Sequence, residues 1–217
     1  MYEQIASNLR RSWILIALFI LIISYVGYLF GQFTGFGWFG FLLAFIIAGS
    51  TSWFSYYYSA DIALGVSHAR PLQKEENPYL YNIIEGLALA AGIPAPKAYI
   101  IDDTAPNAFA TGRDPEHAAV AVTTGLLQKL NRTELEGVIA HEISHIKNYD
   151  IRISTMVVIL VGMIVLLSDW MLRSFWWGGG RRRSRDSNGA QGVLMIIGVI
   201  FIIFAPIIAQ LLQLAVS

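Results

Sequence analysis

His141 and His145 stand four positions apart in the stretch VIAHEISHIKNYD, residues 138–150, and Glu142 follows the first of them directly. On an α-helix, positions i and i+4 share a face one turn apart, so the two imidazoles can meet one metal ion. Glu142 lies about 100° further round the same helix, where a carboxylate can take a proton from a water at the metal. That arrangement is the signature of a zinc-dependent peptidase. His141 and His145 are the candidate metal ligands and Glu142 the candidate general base. Zinc is the implied cofactor, one ion per chain. It makes a nucleophile available near neutral pH and polarises the carbonyl under attack.

A catalytic zinc site usually has three protein ligands. After Glu142 the chain has no further glutamate, and its later acids are Asp150, Asp169 and Asp186. Asp150 reads as part of the helical run that carries His145, too close in sequence for a confident ligand. His68 and His117 are available but read more simply as surface histidines. With no cysteine in the chain, thiolate ligands and disulfides are excluded together. The third ligand stays unassigned on these residues.

The helix that must carry the motif has clear start signals. Asn131 suits an N-cap, Glu134 three residues on completes a capping-box pattern, and Leu135, Val138, Ile139 and Ile146 give an apolar face. Upstream, NPYLYNIIEGLALAAG predicts a helix that opens after Asn77 and ends at Gly92. IPAPKAYIID predicts a proline-set turn and a short strand, and residues 118–123 have strand composition. The order helix, two or three strands, helix predicts a small α+β layer over residues 61–152.

The flanks are of another kind. Of 217 residues 55% are hydrophobic and 14% charged, and mean hydropathy is +0.54. Residues 12–60 contain no Asp, Glu, Lys or Arg, enough for two spans of roughly 20 residues each, with GQFTGFG as the turn between them. Residues 153–217 predict a second hydrophobic hairpin, interrupted at 178–192 by GGGRRRSRDSNGAQG, a flexible arginine-rich loop. The expected fold is therefore a membrane protein of α+β type. Two transmembrane hairpins, 1–60 and 153–217, flank a zincin-like unit at 61–152. Arg10 and Arg11 favour a cytoplasmic N-terminus, which returns residues 61–152 to the cytoplasm. The arginines near 181–185 fit that topology less well. Net charge is zero and there is no basic face, so nucleic acid is not an expected partner. The lipid bilayer is.

NPYLY, PNAFATG, VAVTTGLL and ELEGVIAHEISHIKNYD, in this order between apolar hairpins, resemble the HtpX-type membrane zinc metalloproteases, with CAAX prenyl endopeptidases as more distant relatives. The resemblance spans essentially the whole chain. It implies a membrane-embedded zinc endopeptidase of the cytoplasmic membrane that cleaves damaged or misassembled membrane proteins as part of a stress response. It also implies that Asn107, Ala108, Phe109 and Ala110 align an extended substrate by strand addition, although an ordinary core strand and turn would read the same. Asp150 could hold a ligand histidine through its other ring nitrogen, or simply end the helix and meet solvent. In this family the third ligand is a glutamate beyond the fourth hydrophobic segment, in a pattern like Arg-x-x-Glu-Tyr-x-Ala-Asp, and the present sequence stops at LLQLAVS. The implied alternative is a catalytically incomplete membrane scaffold that binds extended peptides and shows little zinc-dependent proteolysis.

Overall fold

The computed structural model describes residues 2–158, 160–163 and 165. The arginine-rich loop, Asp169, Asp186 and most of the second expected hairpin lie outside them. Two long helices come first: α1 (Tyr2–Thr34) and α2 (Trp38–Val66). The apolar stretches Ile5–Gln32 and Trp38–Val66 are each long enough to cross a bilayer. Between them the chain reverses through Gly35 and Gly37, at φ 81° and 55°, a left-handed backbone that residues with a side chain rarely adopt.

Contacts divide the chain into two compact units. The described part of one is Ile14–Trp53 with 157–158, 160–163 and 165. Its helices touch backbone to backbone: a Cβ on Gly40 would sit 2.5 Å from the Gly27 carbonyl oxygen, so only glycine fits there. Phe19, Ile23, Ala48 and Leu160 form a small buried cluster. Most of the large side chains point outward instead, among them Leu21, Trp38, Ile46 and Trp53. So much exposed apolar surface suits lipid rather than water.

The other unit joins Met1–Trp13 to Phe54–Met156. It holds a four-stranded sheet in the order β1 (Arg70–Pro71), β2 (Lys97–Ile101), β4 (Ala119–Thr123), β3 (Ala108–Thr111). β2 and β4 run parallel, while β1 and β3 are antiparallel to their neighbours, which leaves β3 at an edge. β1, a strand of two residues, is the one the sequence does not announce. The helices α3 (Pro78–Ala91), α4 (Thr124–Lys129) and α5 (Arg132–Lys147) complete the layer.

The local signals act as expected. Asn77 caps α3 by accepting from the Leu80 N–H, and Gly92 ends it in the left-handed conformation. Both halves of the Asn131/Glu134 capping box are made at the start of α5. β4 is buried on both faces, and its side chains alternate as a strand requires. Val120 and Val122 pack with Leu80, Ile84, Ile139 and Ile146, while Ala119 and Ala121 pack with Leu64 of α2. Leu80, Ile139 and Ile146 are fully inaccessible. Each such side chain contributes about 1.5–3 kcal/mol of burial, and together they fix the inner face of α5. That in turn sets where its outer face points.

Candidate active site

One departure from the sequence reading shapes the site. α5 does not run on through Asp150: it stops at Lys147, Asn148 caps it, and Tyr149 takes φ 62°. The chain is helical again over 150–158 (α6). Asp150 therefore starts a new helix, and the left-handed residue turns its carboxylate back towards α5. Its Oδ2 lies 3.1 Å from His145 Nδ1. A continuous helix would have placed the two residues, five apart, on different faces.

His141 is exposed and His145 partly so. Their rings stand edge to face with centroids 4.5 Å apart, and the two Nε2 atoms are 3.1 Å apart. Two nitrogens at tetrahedral zinc distances would be separated by about 3.3 Å, so the pair fits one zinc ion with little movement. With Nδ1–H of His145 donated to Asp150, the Nε2 lone pair is the one left to face a metal. Among the described residues no group of three or more His, Cys, Asp or Glu side chains converges. His117 is engaged elsewhere, with Asp114 Oδ1 at 2.6 Å and Arg113 at 2.7 Å, and His68 sits exposed in a left-handed turn after α2.

Glu142 faces β3. Its Oε2 accepts a hydrogen bond of 2.9 Å from the Ala110 N–H. Burial pushes its carboxyl above the usual glutamate range; the Ala110 N–H and the two histidines pull the other way without cancelling it. A base held nearer to neutrality is better matched to passing a proton on than a fully exposed carboxylate.

Residues 107–110, expected to align a substrate, lie just before and along the edge strand β3. Asn107 is tied through its backbone to Thr123: its N–H donates to Thr123 Oγ1 and its carbonyl accepts from the Thr123 N–H. Hydrogen bonding to β4 thus falls on Asn107 and every second residue after it. Ala108 and Ala110 have the opposite parity and turn their backbone N–H and C=O groups to the open edge, beside Glu142. Phe109 packs with Ala119, Ala121 and Leu64, on the opposite sheet face from the core that Ala108 and Ala110 touch. The Asn107 side chain is exposed.

A residue with no sequence signal also reaches the site. Asn8, in the first turns of α1, donates through Nδ2 to the Asn148 carbonyl at 3.0 Å and to Asp150 Oδ1. Nothing in a lone asparagine ahead of an apolar run marks it as a neighbour of residues 140 positions away.

Comparison with known proteins agrees with this geometry. The model of peptidase family M48 matches residues 74–217. Curated proteins described as protease HtpX homologues match the whole chain. The one from Dictyoglomus turgidum is 48% identical over 216 residues, and this chain covers 69% of its length. Those from Thermoanaerobacter pseudethanolicus and Streptococcus pneumoniae are 50% and 46% identical, with 73% and 74% of their lengths covered. Identity of this order along the entire chain favours the protease over the incomplete scaffold.

Proposed function

The chain belongs to peptidase family M48 and is a membrane metalloprotease of HtpX type, and on that premise we propose that His141 and His145 hold its zinc, Glu142 is its general base, and the open edge of β3 receives the substrate. One observation carries the assignment: the two Nε2 atoms converge at 3.1 Å on the same helix whose Glu142 reaches the Ala110 N–H of the edge strand.

The zinc, when bound, supplies electrophilic activation of the scissile carbonyl and an acidified water. The rest falls to the chain. A peptide laid antiparallel to β3 pairs with the N–H and C=O groups of Ala108 and Ala110. Affinity then comes from main-chain hydrogen bonds with little demand on side chains. Such pairing competes with Glu142 for the Ala110 N–H and leaves the carboxylate free to take the proton of the attacking water. Burial makes Glu142 a stronger base for that first transfer, and it then gives the proton to the leaving amine. Asp150 keeps the His145 ring in one tautomer and one orientation throughout.

Strand addition requires an extended, unfolded segment, and the outward apolar faces of α1 and α2 confine the enzyme to a bilayer. Both point to misassembled membrane proteins as the substrate class. Arg10 and Arg11 at the mouth of the first span support a catalytic unit on the cytoplasmic side. The test is co-reconstitution in vesicles with a destabilised membrane protein. We expect cuts in its exposed loops on the side carrying residues 61–152, stopped by a chelator and restored by zinc. Cuts on the opposite face would overturn the topology, and equal cleavage of a stably folded counterpart would overturn the substrate class.

A further inference from the structure

We infer that Asn8, at the start of the first membrane helix, is a positioning residue of the metal site: it holds the Asp150 carboxylate that in turn holds His145. The inference rests on the proposed metal site and extends it to a part of the chain that no peptidase motif covers.

The geometry closes on both sides. An ionised carboxylate only accepts, and Asp150 accepts from His145 Nδ1 on Oδ2 and from Asn8 Nδ2 on Oδ1. An amide NH₂ has two hydrogens. Asn8 spends one on Asp150 and the other on the Asn148 carbonyl, which ends α5. Its side chain thus spans the turn around Tyr149, holding the last carbonyl before the left-handed residue and the first carboxylate after it. Asn8 is 9% exposed, so water does not compete well for these bonds.

The helix that carries Asn8 is itself held in place. Ser12 Oγ donates to the Asn8 carbonyl at 2.9 Å. One turn on, Trp13 faces the guanidinium of Arg152, 5.3 Å from its ring centroid, with Tyr56 of α2 on the same cation at 4.6 Å. Arg152 is 5% exposed, and among the described residues its Nε and Nη2 have no hydrogen-bond partner. Trp13 and Tyr56 both lie against this cation and so tie α1 and α2 to α6 two residues after Asp150. A purely anchoring asparagine would need only the Asn148 carbonyl. The second bond, to the carboxylate that orients a ligand, is what an anchor does not explain.

The experiment is a double-mutant cycle on zinc affinity, read by chelator competition with the full chain in detergent. The visible spectrum of the cobalt-substituted protein serves as a second readout. Asn8→Ala is expected to weaken zinc binding about tenfold and Asp150→Ala towards a hundredfold, the range spanned by groups that hold metal ligands in place. In the Asp150→Ala background, Asn8→Ala should add nothing, because the carboxylate through which it acts is gone. Ser24→Ala, at a buried position further along the same helix, should leave zinc affinity unchanged. If Asn8→Ala does not fold, Asn8→Ser, which keeps a donor, goes through the same cycle with a smaller first effect. Additive losses, or an Asn8 variant that binds zinc as tightly as the parent, would overturn the inference. Failure of the metal-site reading itself looks different: His141→Ala would then bind zinc as well as the parent.

Discussion

The two units of this molecule use the same apolar residues in opposite ways. In the α+β unit, isoleucine and leucine point inward: Leu80, Ile139 and Ile146 are inaccessible and hold α5 rigid beneath the histidines. In the membrane unit, Ile46, Ile47 and Leu21 point outward, and the close contacts are made by glycines. The first unit is stabilised by removing side chains from water. The second gains little from that effect once it is in lipid, and depends on how near two backbones can come. The two histidines, with nitrogens 3.1 Å apart, are accordingly carried by the first kind of element.

Substitutions can break that contrast. The largest difference is expected between Ile139→Ala and Ile46→Ala. The former opens a cavity under the metal-site helix and should cost about 2–5 kcal/mol, while a scattered lipid-facing position should cost within about 0.5 kcal/mol. Unfolding in detergent followed by circular dichroism measures both. Equal losses would erase the distinction. Next comes a pair of glycines on one helix. Gly40→Leu meets the Gly27 and Gly31 backbone and should cost about 1–3 kcal/mol of hairpin stability, whereas Gly49→Leu, with open space around it, should be tolerated. The same assay at the start of α5 should give about 1 kcal/mol for Asn131→Ala, because the Glu134 backbone N–H loses its side-chain acceptor.

The smallest effect is expected at Asp114, which caps the 3₁₀ turn Pro115–His117. Burial alone would raise its carboxyl, but hydrogen bonds from His117 outweigh that and hold it below the usual range. A depressed folded-state pKa means the contribution is present above the unfolded value and fades as pH falls through the folded one. Asp114→Ala should therefore cost under about 1 kcal/mol at neutral pH and nothing in strong acid. A difference that grew on acidification would contradict this.

Much of this was legible because it is local. The capping box at Asn131 and Glu134, the helix stop at Gly92 and the strand composition of residues 118–123 each involve neighbours within a few residues. The two long apolar helices were equally plain from composition. What escaped depends on distant partners or on strain. β1 is a strand only because Arg70 and Pro71 lie opposite Ile100 and Tyr99. The break after α5 has neither glycine nor proline to announce it, since it is Tyr149 that takes the left-handed backbone. Without that break Asp150 reads as more of the same helix, and its approach to His145 is invisible. Asn8 is the extreme case, a polar residue in an apolar helix whose meaning depends on a turn 140 positions on.

The central claim, that Glu142 is the base of a zinc site made by His141 and His145, is tested most directly by Glu142→Gln. Zinc affinity and cleavage of an unfolded polypeptide should be measured on the same vesicle-embedded sample. The account predicts zinc retained and cleavage reduced by about 10²–10⁴-fold. In the zinc-free parent the Glu142 carboxyl should titrate above an ordinary glutamate, because burial disfavours its charged form. Cleavage that survives Glu142→Gln with zinc still bound would contradict the account.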